Sequence, residues 1–133
     1  MPLEERDEPW LTVPSSVIDD LERDVVIARS CRYHGNYSFW ETIDRGILEK
    51  AFFLGYKKEY EYFKYTYPHM KGIPHREVKD LLEMAQIISG ADLFVGNQGL
   101  PHAIAEGLKK PLINEVFRPY PAAVFNRPET KYV

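Results

Sequence analysis

Residues 92–115, DLFVGNQGLPHAIAEGLKKPLINE, constrain the fold of this 133-residue chain more than any other stretch. Residues 92–95 are a short apolar run halted by Gly96, the pattern of a buried strand. Gly96 and Gly99 bracket a loop with few bulky side chains. Pro101 stands in the first turn of a helix, where a missing N–H costs nothing. Ala103, Ile104 and Leu108 recur at helical spacing, and Lys109 and Lys110 occupy the last turn, where positive charge suits the helix dipole. Pro111 ends the helix and opens a strand through Asn114. A strand that feeds a glycine loop into a helix start is how α/β proteins bind phosphate, because exposed N–H groups and the dipole both favour an anion. The stretch therefore points to a phosphorylated small molecule, a nucleotide or a nucleotide sugar.

The rest of the chain repeats this alternation. Val25, Val26, Ile27 and Ala28 form a continuous apolar run of the kind found in buried parallel strands. A polar, aromatic loop over 29–37 leads into a helix expected over 39–50, with Trp40, Ile43 and Ile47 on one face. Residues 51–54 read as a second strand, ended by Gly55, and 57–65 as a tyrosine-rich helix. Pro68, Gly72 and Pro74 mark an irregular stretch that leaves room for a third strand without fixing its place. Residues 78–89 form an amphipathic helix with Val78, Leu81, Leu82, Ala85 and Ile88 on one stripe. Strands alternating with helices imply a parallel sheet with right-handed crossovers. The expected fold is a single Rossmann-like three-layer α/β domain over residues 24–118, its parallel sheet flanked by helices. Residues 1–23 read as an N-terminal arm or linker, with Ser15 or Ser16 as a helix cap and Trp10, Leu11 and Val13 as apolar anchors; 119–133 read as a C-terminal tail. Ligands of such sheets bind outside the carboxyl ends of the strands, which selects residues 29–37, 55–56, 96–101 and 114–118.

Composition narrows the function. A net charge of −3 argues against broad nucleic-acid binding, which needs a basic surface. Cys31 is the single cysteine, so there is no disulfide framework and no cysteine metal site, and the expected setting is reducing and cytoplasmic. No two histidines have helical metal-ligand spacing, and no metal is expected. No apolar run approaches the roughly 20 residues that span a bilayer. The opening MPLEERDEPW is acidic and lacks the basic and apolar regions of a signal peptide.

The segment VGNQGLPHAIAEGLKKPLI resembles the donor-binding half of GT-B glycosyltransferases, and most of all the heptosyltransferase group, whose pattern reads G-N-D-S-G-P-x-H-x-A-x-x-x-G-K-P. Gly96, Asn97, Pro101, Ala105, Lys110 and Pro111 match without gaps. The upstream ISGADLF and VVIARSCRY…FW resemble the same family's lead-in helix, strand, basic loop and tryptophan-bearing helix start. The family's Asp, Ser and His fall on Gln98, Gly99 and Ala103, with His102 one position early, about 100° around the helix. The resemblance implies a nucleoside-diphosphate-sugar donor as substrate, no cofactor, metal-free transfer, and a partner domain or second copy supplying the acceptor site.

These readings yield a set of candidate residues. Gly96, Asn97, Gln98, Gly99, Leu100 and Pro101 form the diphosphate cradle, or else a tight turn into a helix. Arg29 and Arg32 can neutralise phosphate bidentately. Glu115, at a strand end, can hold ribose hydroxyls. Tyr56 can face a base or sugar, and His102 can touch a phosphate. Arg32 and His34 are the candidates for a catalytic role, the histidine as proton donor or base. The tyrosines at 60, 62, 65 and 67 read as packing or interface, His69 and His75 as surface, and Cys31 as a small buried thiol. Two functions follow: a GT-B donor-binding domain acting in glycosyl transfer, or a stand-alone, non-catalytic nucleotide-binding or protein-interaction module with the same fold.

Overall fold

The computed structural model describes residues 23–31, 37–97, 99–115 and 129–133. Within these, the strands are β1 (Val25–Ala28), β2 (Ala51–Leu54), β3 (His75–Arg76), β4 (Leu93–Asn97), β5 (Leu112–Glu115) and β6 (Thr130–Tyr132). The helices are α1 (Tyr37–Glu41), α2 (Arg45–Leu48), α3 (Lys57–Thr66), α4 (Leu81–Gly90) and α5 (Leu100–Gly107), with a 3-10 turn at Pro68–Met70. All pairings are parallel, in the order β3-β2-β1-β4-β5-β6. The first strand is thus central: the chain builds outward to β3, returns across β1, and builds outward the other way to β6. This is the Rossmann-like order, whose direction reverses between β1 and β4.

The alternation of side chains along each strand divides the core in two. Val26, Ala28, Phe52, Leu54, Phe94 and Leu112 meet Met84, Ala85 and Ile88 of α4 and Ile104 and Ala105 of α5 on one face. Val25, Ile27, Ala51, Phe53 and Val95 meet Trp40, Ile43, Phe63, Tyr67, Met70 and Ile73 on the other. Helices of the first half cover one face and helices of the second half the other, as a constant crossover hand requires once the winding direction reverses. The strands β1 and β2 are buried at every position, which is why they read as unbroken apolar runs.

Several boundaries differ from the sequence expectation for identifiable reasons. The helix expected over 39–50 is two short ones. Asp44 interrupts it by capping α2, its side chain accepting from Gly46 N–H at 2.6 Å. The helix expected from Val78 begins at Leu81, because Asp80 is its cap, accepting from Glu83 N–H at 2.8 Å. Its buried stripe is consequently Met84, Ala85, Ile87 and Ile88, while Leu81 and Leu82 project past the sheet, more than half exposed at 56% and 53%. The third strand is the two-residue β3, placed where Phe53 and Leu54 pair with His75 and Arg76. Helix α5 ends at Gly107, ahead of the two lysines: Lys109 takes a left-handed φ of 57°, and its Nζ lies 3.0 Å from the buried Glu106. Residues 130–132, expected in a tail, form β6 beside β5. Ser15, Ser16 and the anchors Trp10, Leu11 and Val13 lie outside the described residues.

Gly96 belongs to β4, paired with Ala28 and Asn114, rather than to the loop after it. A Cβ there would stand 2.5 Å from the Ala28 carbonyl oxygen and 2.7 Å from the Phe94 ring. Glycine is therefore the residue that lets β1 and β4 close over Phe94. Gly96→Ala is expected to cost about 1–3 kcal/mol, the scale of an overpacked core. Gly72→Ala, where a Cβ meets nothing within 4 Å, should leave the denaturation midpoint near wild type. Urea unfolding of the two variants side by side checks the contrast.

Candidate functional site

The reversal between β1 and β4 opens a crevice at their carboxyl ends, the place where open parallel sheets take ligands. The two chains leave the sheet in different directions, and one side chain ties them. Asn97 Oδ1 accepts from Ser30 N–H at 3.0 Å, and Asn97 Nδ2 donates to Ser30 Oγ at 3.2 Å. On the β5 side, Asn114, with its amide turned so that the nitrogen faces acceptors, donates to the carbonyls of Gly96 and Asn97 at 3.1 and 3.2 Å.

A pocket of about 190 Å³ lies in this crevice. Ala28, Arg29 and Ser30 border it from β1; Leu54, Gly55, Tyr56 and Glu59 from β2 and the start of α3; Asn97, Gly99, Leu100 and Pro101 from β4 and α5. Val78 and Met84 complete its apolar side. Helix α5 begins at this edge. Its first internal hydrogen bond runs from Ala103 N–H to the Gly99 carbonyl, so the amides of Gly99 and Leu100 precede the helical ladder, where anions are held. Gly99 has an extended backbone, and a Cβ there would touch only Pro101 Cδ at 3.8 Å, so the helix mouth is open.

Beside the pocket lies a buried ion pair. Arg29 Nε and Nη2 donate to Glu115 Oε1 and Oε2 at 2.9 and 3.2 Å, in the bidentate geometry guanidinium favours. Trp40 Nε1 donates to the same Oε1 at 2.8 Å. The guanidinium carbon sits 5.7 Å from the Trp40 ring and 5.3 Å from the Tyr67 ring, within cation–π range. Both charged residues are almost fully buried, Arg29 at 2% exposure and Glu115 at 0%. Strand alternation puts Arg29 in line with Val25 and Ile27, on the face that carries Trp40 and Tyr67.

The structure thus brings part of the expected site together and rearranges part of it. Tyr56, Asn97, Gly99, Leu100 and Pro101 converge on the pocket. Gly96 is sealed within the sheet. Arg29 borders the pocket, yet its guanidinium is held by Glu115, and Glu115 is held in turn by Arg29 and Trp40 instead of facing outward for a ribose. Opposite charges on neighbouring strand ends neutralise each other once both are removed from water. His102 points into the core, 2% exposed, with its ring 6.5 Å from Phe94 and 6.1 Å from Tyr132, so it is not presented at the helix mouth. Cys31 is exposed, not buried. Arg32, His34 and Gln98 lie outside the described residues. Of the tyrosines, Tyr67 is core and Tyr60 stacks on His75 at 4.4 Å, while Tyr56 is 69% exposed at the pocket rim. Ser30 and Glu59 are pocket residues without a motif of their own. The only local signal for Glu59 is its place three residues after the helix cap, the spacing of a capping box.

Lys110 lies at the opposite, amino end of the sheet. Burial lowers its pKa from the ordinary lysine value, and the nearby Asp92 carboxylate partly counters this. Among the described residues no three His, Cys, Asp or Glu side chains gather where they could hold a metal ion, and no helix is long and apolar enough to cross a membrane. Compared with known proteins, the chain matches no family model, no curated protein and no solved structure.

The ion pair has a measurable signature. Glu115→Leu strands a buried guanidinium and is expected to cost about 3–5 kcal/mol, whereas adding Arg29→Met to it should recover most of that loss. Chemical denaturation of the two single variants and the double variant, read as a double-mutant cycle, measures the coupling.

Proposed function

We propose that this chain is a nucleotide-binding domain that takes a nucleoside diphosphate, free or sugar-linked, at the carboxyl end of its sheet, as the donor-binding domains of GT-B glycosyltransferases do. The observation that carries the reading is the coincidence of three features at one point: the β1–β4 reversal, the pocket, and the start of α5. The diphosphate would lie against the amides of Gly99 and Leu100, where the helix dipole offsets its charge. Tyr56 and Leu100, both exposed at the rim (69% and 55%), supply flat apolar surface for a base or sugar. The pocket is smaller than the roughly 300–1,000 Å³ typical of sites that enclose a whole ligand. It therefore fits one portion of a nucleotide, with the remainder crossing the rim.

A second reading keeps the site and drops the transfer. It is favoured by Gln98, Gly99 and Ala103, which replace the Asp, Ser and His of the heptosyltransferase pattern. The two readings share the binding step and differ in turnover. A transferase domain given its acceptor-binding partner releases nucleoside diphosphate from a nucleotide sugar; a binding module holds the nucleotide unchanged.

Calorimetric titration of the full chain with ADP, UDP, GDP and CMP, then with sugar conjugates of whichever binds, tests the shared step. Saturable binding to one nucleoside diphosphate is expected. Gly99→Val should weaken it tenfold or more, about 1.4 kcal/mol, by placing a branched side chain at the helix mouth. The unfolding midpoint should stay near wild type, because a Cβ at Gly99 has room. Unchanged affinity in that variant would remove the phosphate from the start of α5.

A further inference from the structure

A second cavity, of about 320 Å³, opens at the amino end of the sheet, away from the crevice and on the face that carries Trp40. Its lining comes from the residues that lead into three neighbouring strands: Arg23 before β1, Arg45, Leu48 and Glu49 before β2, and Gly72 and Ile73 before β3. His69 joins them from the 3-10 turn.

Three basic side chains therefore meet at one place, and two of them are held there. Arg23 Nη1 donates to the Ala51 carbonyl at 2.9 Å and to the Leu48 carbonyl at 3.4 Å. Both bonds use one nitrogen, so the edge formed by Nε and Nη2 is left for another acceptor. His69 Nε2 lies 3.1 Å from the Trp40 carbonyl. A carbonyl only accepts, so Nε2 carries the hydrogen and anchors the ring. Arg45 is the first residue of α2, the end at which a helix dipole disfavours a cation. Glu49 stands four positions on, the spacing of a helical ion pair, yet among the described residues no ion pair joins the two. The fold gives the Arg45 guanidinium no partner of its own among these residues. Two guanidiniums against one carboxylate leave the lining positive before His69 is counted. Leu48 and Ile73 add an apolar wall, and Gly72 leaves space beside it, since a Cβ there would meet nothing within 4 Å.

We infer that this cavity binds the phosphate group of a small organic phosphomonoester, at a site separate from the nucleotide crevice. The Nε–Nη2 edge of Arg23 matches two oxygens of a phosphate, and its two carbonyl bonds hold that edge ready. Arg45 supplies the second positive charge. A doubly charged phosphate suits the lining better than a carboxylate, because basic groups outnumber the acidic one. The volume reaches the roughly 300 Å³ at which sites begin to enclose a whole small ligand. The phosphate thus leaves room for carbon atoms against Leu48 and Ile73. Because the two sites lie at opposite ends of the strands, this one does not depend on the nucleotide reading.

Calorimetric titration of the full chain with glycerol 3-phosphate, glucose 6-phosphate and inorganic phosphate tests the site, in wild type, Arg45→Gln, Glu49→Gln and Gly99→Val. Wild type is expected to bind one of the esters saturably and more tightly than inorganic phosphate. Arg45→Gln should weaken that binding about tenfold, the scale of one charge-assisted hydrogen bond, with an unchanged thermal midpoint. Glu49→Gln should tighten it by removing the carboxylate from the lining. Gly99→Val, at the other end of the sheet, should leave it unchanged. Ester binding that responds to Gly99→Val and not to Arg45→Gln belongs to the start of α5 and overturns the inference. Failure of wild type to bind either ester overturns it as well. Inorganic phosphate bound as tightly as the ester overturns the organic ligand and assigns the cavity to free phosphate.

Discussion

The contact on which this site depends is the buried pair Arg29–Glu115. Strand β4 lies between β1 and β5, and Asn97 pairs with Glu115 while Ala28 pairs with Gly96. The ion pair therefore reaches over the end of β4 and joins the two strands that flank it. Trp40 adds a third attachment from the helical layer below. Removing two charges from water costs about as much as their attraction returns, so the pair adds little net stability. What it adds is intolerance of any other arrangement: if β5 moves relative to β1, both charges are stranded. The side chains of Asn97 and Asn114 work in the same sense, spending their hydrogen bonds between strand ends. Taken together, these contacts keep the crevice open and of fixed shape while its floor remains apolar.

That rigidity explains a division of labour at the carboxyl end. Arg29 and Glu115, buried on the Trp40 face, are paired with each other, and the cation–π contacts from Trp40 and Tyr67 leave Arg29 embedded. Other groups at the mouth of the crevice are presented by helix starts. Residues 99–101 open α5, Tyr56 and Glu59 open α3, and Leu81 and Leu82 open α4. In a parallel sheet every helix that follows a strand starts at that strand's carboxyl end, so these first turns rim the same mouth. Their exposed apolar side chains and N-terminal amides are what an incoming ligand meets first.

The parts legible in sequence were those governed by local period. Continuous apolar runs marked β1 and β2, and the proline at α5 located its first turn, because each depends on neighbours a few residues away. Elements that depend on distant partners were not legible. β3 is two residues long and exists only because Phe53 and Leu54 offer it an edge. β6 reads as polar, T-K-Y, and becomes a strand only by pairing with Leu112, Ile113 and Asn114. The site divided in the same way. Tyr56, Asn97, Gly99, Leu100 and Pro101 follow strand ends and could be placed by topology alone. Whether Arg29 and Glu115 face the crevice or each other could not, since an arginine and a carboxylate 86 positions apart in the chain give no sign in sequence that they satisfy each other. The helix expected over 78–89 is present but starts at Leu81, for a smaller reason: the Asp80 cap outweighs the apolar stripe that begins at Val78.

The electrostatics of the mouth differs between its two sides. A phosphate group and a carboxylate repel each other at close range, whereas an exposed helix start attracts a phosphate. In this crevice the start of α5 and the Glu59 carboxylate are placed on different strand ends, β4 and β2, with β1 between them. A phosphate is therefore favoured at the start of α5 and disfavoured beside Glu59. The same chain segment that separates the two ends, Ala28 to Ser30, is the one pinned by Asn97 and by the Arg29–Glu115 pair. The interactions that hold the sheet's reversal point together thereby also hold these two groups at a fixed separation.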